Sequence, residues 1–126
     1  MGFLNSMLGN TSKYEVTSAT QEYGNLLGPG EEFQNAYKLS PDALLFTNYR
    51  LILVDKQGIT GKKIEYMTIP YKSVVRFSVE SASHFDLDAV LMIWTSGLTN
   101  PIQRHFSNSD YIYEVQALLA SYVGQA

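Results

Sequence analysis

Apolar and polar positions change rhythm along the chain, from a helical spacing to a strand spacing and back. Val16, Ala19, Tyr23 and Leu26 recur at the interval of one helix face. Ahead of them Ser12-Lys13-Tyr14-Glu15 fits a capping box, in which the Ser12 hydroxyl accepts from the Glu15 N–H and the Glu15 carboxylate accepts from the Ser12 N–H. Gly28-Pro29-Gly30 closes the segment, since glycine permits a left-handed cap and proline cannot continue the helix. The pattern predicts one short amphipathic helix over residues 12–27. From Phe33 onward the runs at 33–39, 43–47, 50–56, 63–69, 73–80, 87–95 and 102–106 read as strands, set apart by Ser40-Pro41-Asp42, Asn48-Tyr49, Gln57-Gly58, Pro70 and Gly97. The short connection at Asn48-Tyr49 reads as a hairpin turn, with Asn48 able to take positive φ. Residues 73–80 alternate, Val75, Phe77 and Val79 facing one way and Val74, Arg76, Ser78 and Glu80 the other.

A helical rhythm returns at the end. Ser107-Asn108-Ser109-Asp110 matches an [ST]-x-x-[DE] helix start. Tyr111, Val115, Leu118 and Tyr122 then form a stripe, with Ile112 and Leu119 beside it and Gly124 as the stop. About seven short strands followed by one amphipathic helix predict a mainly β protein. Seven strands leave two open barrel ends, the C-terminal helix buries its stripe by plugging one of them, and an extra helix precedes the strands. The expected organisation is a single domain over residues 1–126, with an N-terminal helical extension at 1–30, the barrel at 31–107 and the capping helix at 108–124.

Composition narrows the chemistry. A chain of 126 residues suits one domain. The absence of Cys removes disulfides, thiolate metal sites and a cysteine nucleophile together. Lys plus Arg is 9 against 12 Asp plus Glu, a net charge of −3, which argues against a duplex nucleic-acid binder. No apolar run approaches the roughly 20 residues of a membrane-spanning helix. The start, Met1-Gly2-Phe3-Leu4-Asn5-Ser6, lacks the basic flank and long apolar stretch of a secretory signal. It matches the loose M-G-x-x-x-[ST] lipidation pattern, which is too short to outweigh a frayed or locally helical start. Phe3, Leu4, Met7 and Leu8 read as packing on the chain's own barrel or on a neighbouring copy rather than as a membrane-surface helix. Asn10-Thr11-Ser12 is a glycosylation sequon left idle without a signal. The expected location is cytoplasmic, with a peripheral position at the inner face of the membrane as the variant.

The residues also resemble a known family. Phe46-Thr47-Asn48-Tyr49-Arg50-Leu51-Ile52-Leu53-Val54-Asp55-Lys56-Gln57-Gly58 is similar to the hairpin signature of the bacterial pleckstrin homology (PH) domain family, formerly a domain of unknown function. Thr60-Gly61-Lys62-Lys63, Ile69-Pro70-Tyr71, Arg76-Phe77-Ser78-Val79-Glu80, Phe85-Asp86-Leu87-Asp88 and Ile112-Tyr113-Glu114-Val115-Gln116 resemble it in the same order, so the likeness spans nearly the whole chain. The resemblance implies a PH-like barrel of two bent antiparallel sheets and a tendency to form ring-shaped homo-oligomers, and it implies no activity. Eukaryotic relatives bind phosphoinositides through basic residues in the first hairpin loop. Here that loop offers only Lys38, and the sole Trp is Trp94, on a strand rather than in the last helix, so that recognition is not carried over.

Candidate sites remain few. His84, Asp86 and Asp88 hold metal-compatible groups, but one imidazole at a hairpin tip reads better as a solvated turn, and His105 as a plain strand residue. Glu31 and Glu32 are adjacent, so in a strand they point apart and cannot converge on one bond. No nucleophile elbow, P-loop or H-E-x-x-H is present, so neither an enzyme nor a cofactor or metal site is expected. Lys56, Lys62 and Lys63 cluster about a loop with Ile59 at its tip, a candidate contact for an anionic membrane surface or a partner, although Asp55 and Glu65 dilute the field and an ordinary solvated loop is the plainer account. In residues 87–95, Leu87, Ala89, Leu91 and Ile93 suit the barrel interior. Val90, Met92 and Trp94 then form an apolar row on the outer face, to be covered by the helix at 12–27 or by a second copy. The leading expectation is a non-catalytic, self-assembling ring that presents a surface to an unidentified protein partner. The alternative is a peripheral membrane-binding module, and an enzyme comes last.

Overall fold

A computed structural model describes residues 11–57, 62–81, 88–107 and 111–126 of the chain. Among the described residues eight strands form two antiparallel sheets. The first sheet runs in the order β1 (Ser12–Lys13), β2 (Phe33–Leu39), β3 (Asp42–Thr47), β4 (Arg50–Gln57) and β5 (Lys63–Pro70). The second runs β6 (Val74–Ser81), β7 (Ala89–Thr95) and β8 (Ile102–Phe106). A single 3₁₀ turn, Tyr71–Ser73, carries the chain between the sheets, and the Ser73 hydroxyl closes it by donating to the Pro70 carbonyl at 2.8 Å. Helix α1 (Val16–Tyr23) lies between β1 and β2, and helix α2 (Ile112–Gly124) ends the fold. The seven strands read from the pattern are β2 to β8.

Two cores explain two kinds of strand. The inner faces of both sheets close on one another and on α2, burying Leu44, Phe46, Leu51, Leu53, Leu91 and Ile93 completely or nearly so. The opposite faces of β3 and β4 carry Leu45, Ile52 and Val54, which bury against Ala19 and Tyr23 of α1. These central strands are therefore enclosed on both sides, which is why 43–46 and 51–54 are continuous apolar runs. Burial of each such side chain stabilises by about 1.5–3 kcal/mol.

The first helix is shorter than the 12–27 expected, because Ser12 and Lys13 pair with Lys38 and Tyr37 as β1. A residue held in a ladder cannot cap a helix, and Glu15, the N-cap, makes no side-chain capping bond. The capping box is not formed. After Tyr23 the chain tightens into a 3₁₀ turn, Gly24–Leu26. The Asn48-Tyr49 connection also differs, since no described non-glycine residue has positive φ. Side chains shape it instead. Asn48 accepts from the Glu32 N–H at 2.9 Å and donates to the Gly30 carbonyl at 2.9 Å, while Thr47 Oγ1 accepts from the Tyr49 and Arg50 N–H groups.

In β6 the pairing slips between Val74 and Arg76, a β-bulge that breaks the simple alternation. Val74 turns inward with Phe77 and Val79, and Val75 is left 65% exposed. Along α2 the buried side chains are Ile112, Val115 and Leu119, so the stripe is rotated from the one expected; Tyr111, Leu118 and Tyr122 flank it half-buried. Its predicted start at Asn108, Ser109 and Asp110, and Leu87 of the predicted strand at 87–95, lie outside the described residues. Tyr111 is the N-cap and makes no side-chain capping bond, while Ser107 Oγ accepts from the Thr11 N–H at 3.0 Å.

Candidate interaction surfaces

The pleat of β7 sends alternate side chains to opposite faces. Ala89, Leu91 and Ile93 are buried inside, and Val90, Met92 and Trp94 stand in a row outside, each half-buried. The register supplies their neighbours. Glu80 and His105 flank Val90, Ser78 and Gln103 flank Met92, and Arg76 faces Trp94. The Arg76 guanidinium lies 4.1 Å from the Trp94 ring centre, a cation–π contact that covers part of the indole. Val90, Met92 and Trp94 belong to neither buried cluster. Helix α1 does not cover them, because its stripe is spent on the outer face of the other sheet.

The lysines of the candidate loop are not equivalent. Lys56 turns onto α1, where its Nζ lies 3.5 Å from Glu22 Oε2 and 5.9 Å from the Tyr23 ring, and its backbone N–H donates to Asp42 Oδ1 at 2.9 Å. The hydrogen bond from the Tyr14 hydroxyl, with Lys56 adding to it, holds the Glu22 carboxyl below its ordinary value. Lys62 and Lys63 are exposed at the start of β5, and Ile59 lies outside the described residues. Asp55 and Glu65 face each other across β4 and β5, which places acid beside the basic pair. The expected cluster of three lysines is thus reduced to two.

A cleft of about 480 Å³ opens at the end of the barrel, lined by Gln34, Asn48, Tyr49, Tyr71, Lys72 and Tyr122 among others. Tyr122 is stacked between Tyr71, at 4.7 Å between ring centres, and Phe46, at 5.7 Å. The Tyr71 hydroxyl donates to the Thr47 carbonyl at 2.6 Å, and burial pushes its ionisation up. These rings spend their faces on one another, so the cleft floor is a plug of packed aromatics. The lining residues place no activated base beside a nucleophile.

The most tightly held charges were not singled out by spacing. Glu31 accepts from Arg50 Nε at 2.8 Å and Nη2 at 3.0 Å, from the Gly28 N–H at 3.0 Å and from the Thr47 hydroxyl at 2.6 Å. The Arg50 hydrogen bonds lead in lowering its pKa to about 2. Glu31 and Glu32 precede β2 rather than lying in a strand, and Glu31 is buried while Glu32 is exposed. The signal available in the sequence was the isolated Arg at the head of an apolar strand; nothing in spacing named its partner 19 residues earlier. His84 and Asp86 lie outside the described residues, and His105 sits beside Val90 on the outer face. Among the described residues no group of three or more His, Asp or Glu could hold a metal, and no helix is long and apolar enough to cross a membrane.

The comparisons agree with this architecture. The chain is 48% identical over 122 residues to the uncharacterized Bacillus subtilis (strain 168) protein YjqA, covering 96% of this chain and 98% of that one. It is similar to the structure of a PH domain from Shewanella amazonensis SB2B, with 43% identity, TM-score 0.80, and 97% and 98% of the two chains covered. It is also similar to a DUF1696 family protein with a PH domain from Shewanella loihica PV-4, with 38% identity, TM-score 0.81, and 91% and 98% covered. The bacterial PH domain pattern matches residues 2–123, and the chain belongs to that family.

Proposed function

We propose that the protein is a non-catalytic interaction module that assembles with copies of itself and presents a surface to a protein partner. The observation that carries this reading is the row Val90, Met92 and Trp94. Three large apolar side chains, each half-buried, stand side by side on the central strand of a sheet whose outer face α1 does not cover. Contiguous apolar surface of this kind marks contacts between proteins. A head-to-tail contact that closes into a ring leaves no free copy of the interface to extend into fibres. No nucleic acid and no cofactor enters this reading. Light scattering on a size-exclusion column tests it. At tens of micromolar the parent elutes as a closed oligomer, and Trp94→Lys, which stays folded, elutes smaller. A monomeric parent refutes self-assembly, and an unchanged assembly of folded Trp94→Lys moves the interface elsewhere.

A second reading is peripheral contact with anionic membrane, for which Lys62 and Lys63 stand exposed beside Ile64, itself 38% exposed. Each lysine near an anionic surface contributes about 1 kcal/mol. Sedimentation with anionic vesicles, repeated at high salt, separates it from the first reading.

A further inference from the structure

Four distant stretches of chain build the cleft at the end of the barrel. Gln34 stands near the start of β2, Asn48 and Tyr49 join β3 to β4, Lys72 sits in the turn between the sheets, and Tyr122 lies on α2. Its volume of about 480 Å³ falls among those of ligand sites, about 300–1,000 Å³. The hydrogen bonds within its walls are one-sided. Asn48 spends Oδ1 on the Glu32 N–H and one Nδ2 hydrogen on the Gly30 carbonyl, which fixes the amide and leaves its second hydrogen. Gln34 Oε1 accepts from the Tyr122 hydroxyl, so Nε2 keeps both of its hydrogens. Among the described residues neither the Tyr49 hydroxyl nor the Lys72 ammonium has a hydrogen-bond or ion-pair partner. The unspent oxygens, Gln125 Oε1 and the backbone of Ala126, stand together past the end of α2. The rest of the wall donates and does not accept. Its floor is apolar and firm, because Tyr122 carries a stacked ring on each face. Tyr49 is 56% exposed, and Lys72 is the only charged side chain in the lining.

We infer that this cleft binds a proline-rich segment of a protein partner, in the polyproline II form, with an acidic residue beside the prolines. An ordinary residue brings one N–H with every C=O. Laid along walls that only donate, those N–H groups lose water and gain no acceptor, the costly side of a hydrogen-bond exchange. Proline brings the carbonyl and a rigid apolar ring, and it has no N–H. A proline run makes no internal hydrogen bonds, so its carbonyls are free to accept. It is ordered before it docks, and aromatic-lined grooves suit it. Gln34, Asn48 and Tyr49 donate to the carbonyls, the tyrosines take the proline rings, and Lys72 takes the acid. A sugar brings a donor with each hydroxyl, and a free anion leaves the aromatic floor uncovered.

This inference rests on the protein-partner half of the reading above and gives that partner its chemistry; self-assembly does not enter it. The side-chain amide signals of isotope-labelled protein are followed by NMR during titration with four probes. These are acetyl-Glu-Pro-Pro-Pro-Pro-Pro-amide, the same peptide with alanine for every proline, the proline peptide with Gln for Glu, and sodium glutamate. The first should bind at least tenfold more tightly than the alanine peptide and than glutamate. It should shift the Gln34 and Asn48 amides and leave the Trp94 indole signal, on the other sheet, in place. Tyr49→Ala, its fold checked by melting, should weaken binding about tenfold. Lys72→Gln should weaken the Glu peptide about threefold and leave the Gln peptide unchanged, a split that a general loss of structure does not give. Equal binding of the proline and alanine peptides, glutamate binding as tightly as the proline peptide, or shifts that miss the cleft overturns the inference. Undiminished binding by both variants also overturns it. Light scattering of the parent reads self-assembly separately, so a parent that assembles and ignores the proline peptide sinks only this inference.

Discussion

The Arg50 guanidinium grips both carboxylate oxygens of Glu31, through Nε at 2.8 Å and Nη2 at 3.0 Å, while Nη2 also donates to the Leu26 carbonyl at 2.7 Å. One side chain on β4 thereby fastens the segment that leaves α1 to the barrel. The Glu31 side chain is 3% exposed and Arg50 24%. Fork-to-fork geometry of this kind adds direction as well as attraction, which a lysine at position 50 would not reproduce.

Arg50→Gln leaves a buried carboxylate without its counter-charge, and should cost about 3 kcal/mol in urea unfolding at neutral pH. Glu31→Gln should cost less, since no charge is then stranded on the carboxyl side. The pH dependence follows from the carboxyl's pKa of about 2 in the fold against 4.5 as its ordinary value. The group binds its proton less readily when folded, so its contribution is complete above about pH 4.5 and is lost as the pH falls toward 2. Unfolding curves at pH 7, 4.5 and 3 should show the parent losing more stability than Glu31→Gln over the acid step.

Leu119 is fully buried between the sheets, whereas Leu118 lies at the edge of the same cluster. Leu119→Asp should cost at least about 3 kcal/mol, the range of an unpaired buried charge. Leu118→Asp should cost about half as much, because its carboxylate can reach water. Thermal melting of both variants checks the order, and the reverse order would place the axis of α2 differently.

Lys56 already faces Glu22, an exposed pair worth under about 1 kcal/mol. If the protein binds anionic vesicles, Lys56→Gln should leave that binding nearly intact, and the pair Lys62→Gln with Lys63→Gln should remove it. Co-sedimentation at low and raised salt reads both. Equal loss from all three positions would mean that Lys56 leaves Glu22 at the membrane.

Gly30 holds φ at +77°, and a Cβ built there would lie 2.8 Å from the Tyr49 hydroxyl oxygen. Gly30→Ala should cost about 1–3 kcal/mol, as strained backbone does. Combining it with Tyr49→Ala should recover only part, because the crowding is relieved and the φ is not. Full recovery in a melting experiment would assign the whole cost to the tyrosine.

Local pattern was enough to place β2 through β8, both helices and the inward residues of β7, because a two-residue or 3.6-residue period is written into the side chains that must be buried. The family was legible for the same reason, in motifs that keep their order along the chain. What the sequence could not decide were outcomes of competition between distant segments. Ser12 and Lys13 carry a capping signature, yet the free edge of β2 at Tyr37 and Lys38 took them into a ladder. Val75 fits the alternation of its strand, yet the bulge at the sheet corner put it outside. The face that α1 covers was open in the sequence, since its stripe would suit either sheet. Only the tertiary structure placed it on Leu45, Ile52 and Val54, so that it does not cover the half-buried row Val90, Met92 and Trp94. The Glu31–Arg50 pair and the cleft over Tyr122 belong to the same class, because hydrogen bonds and clefts are defined by which segments meet. Burial of one face is a local necessity of each element, and the choice of what buries it belongs to the whole chain.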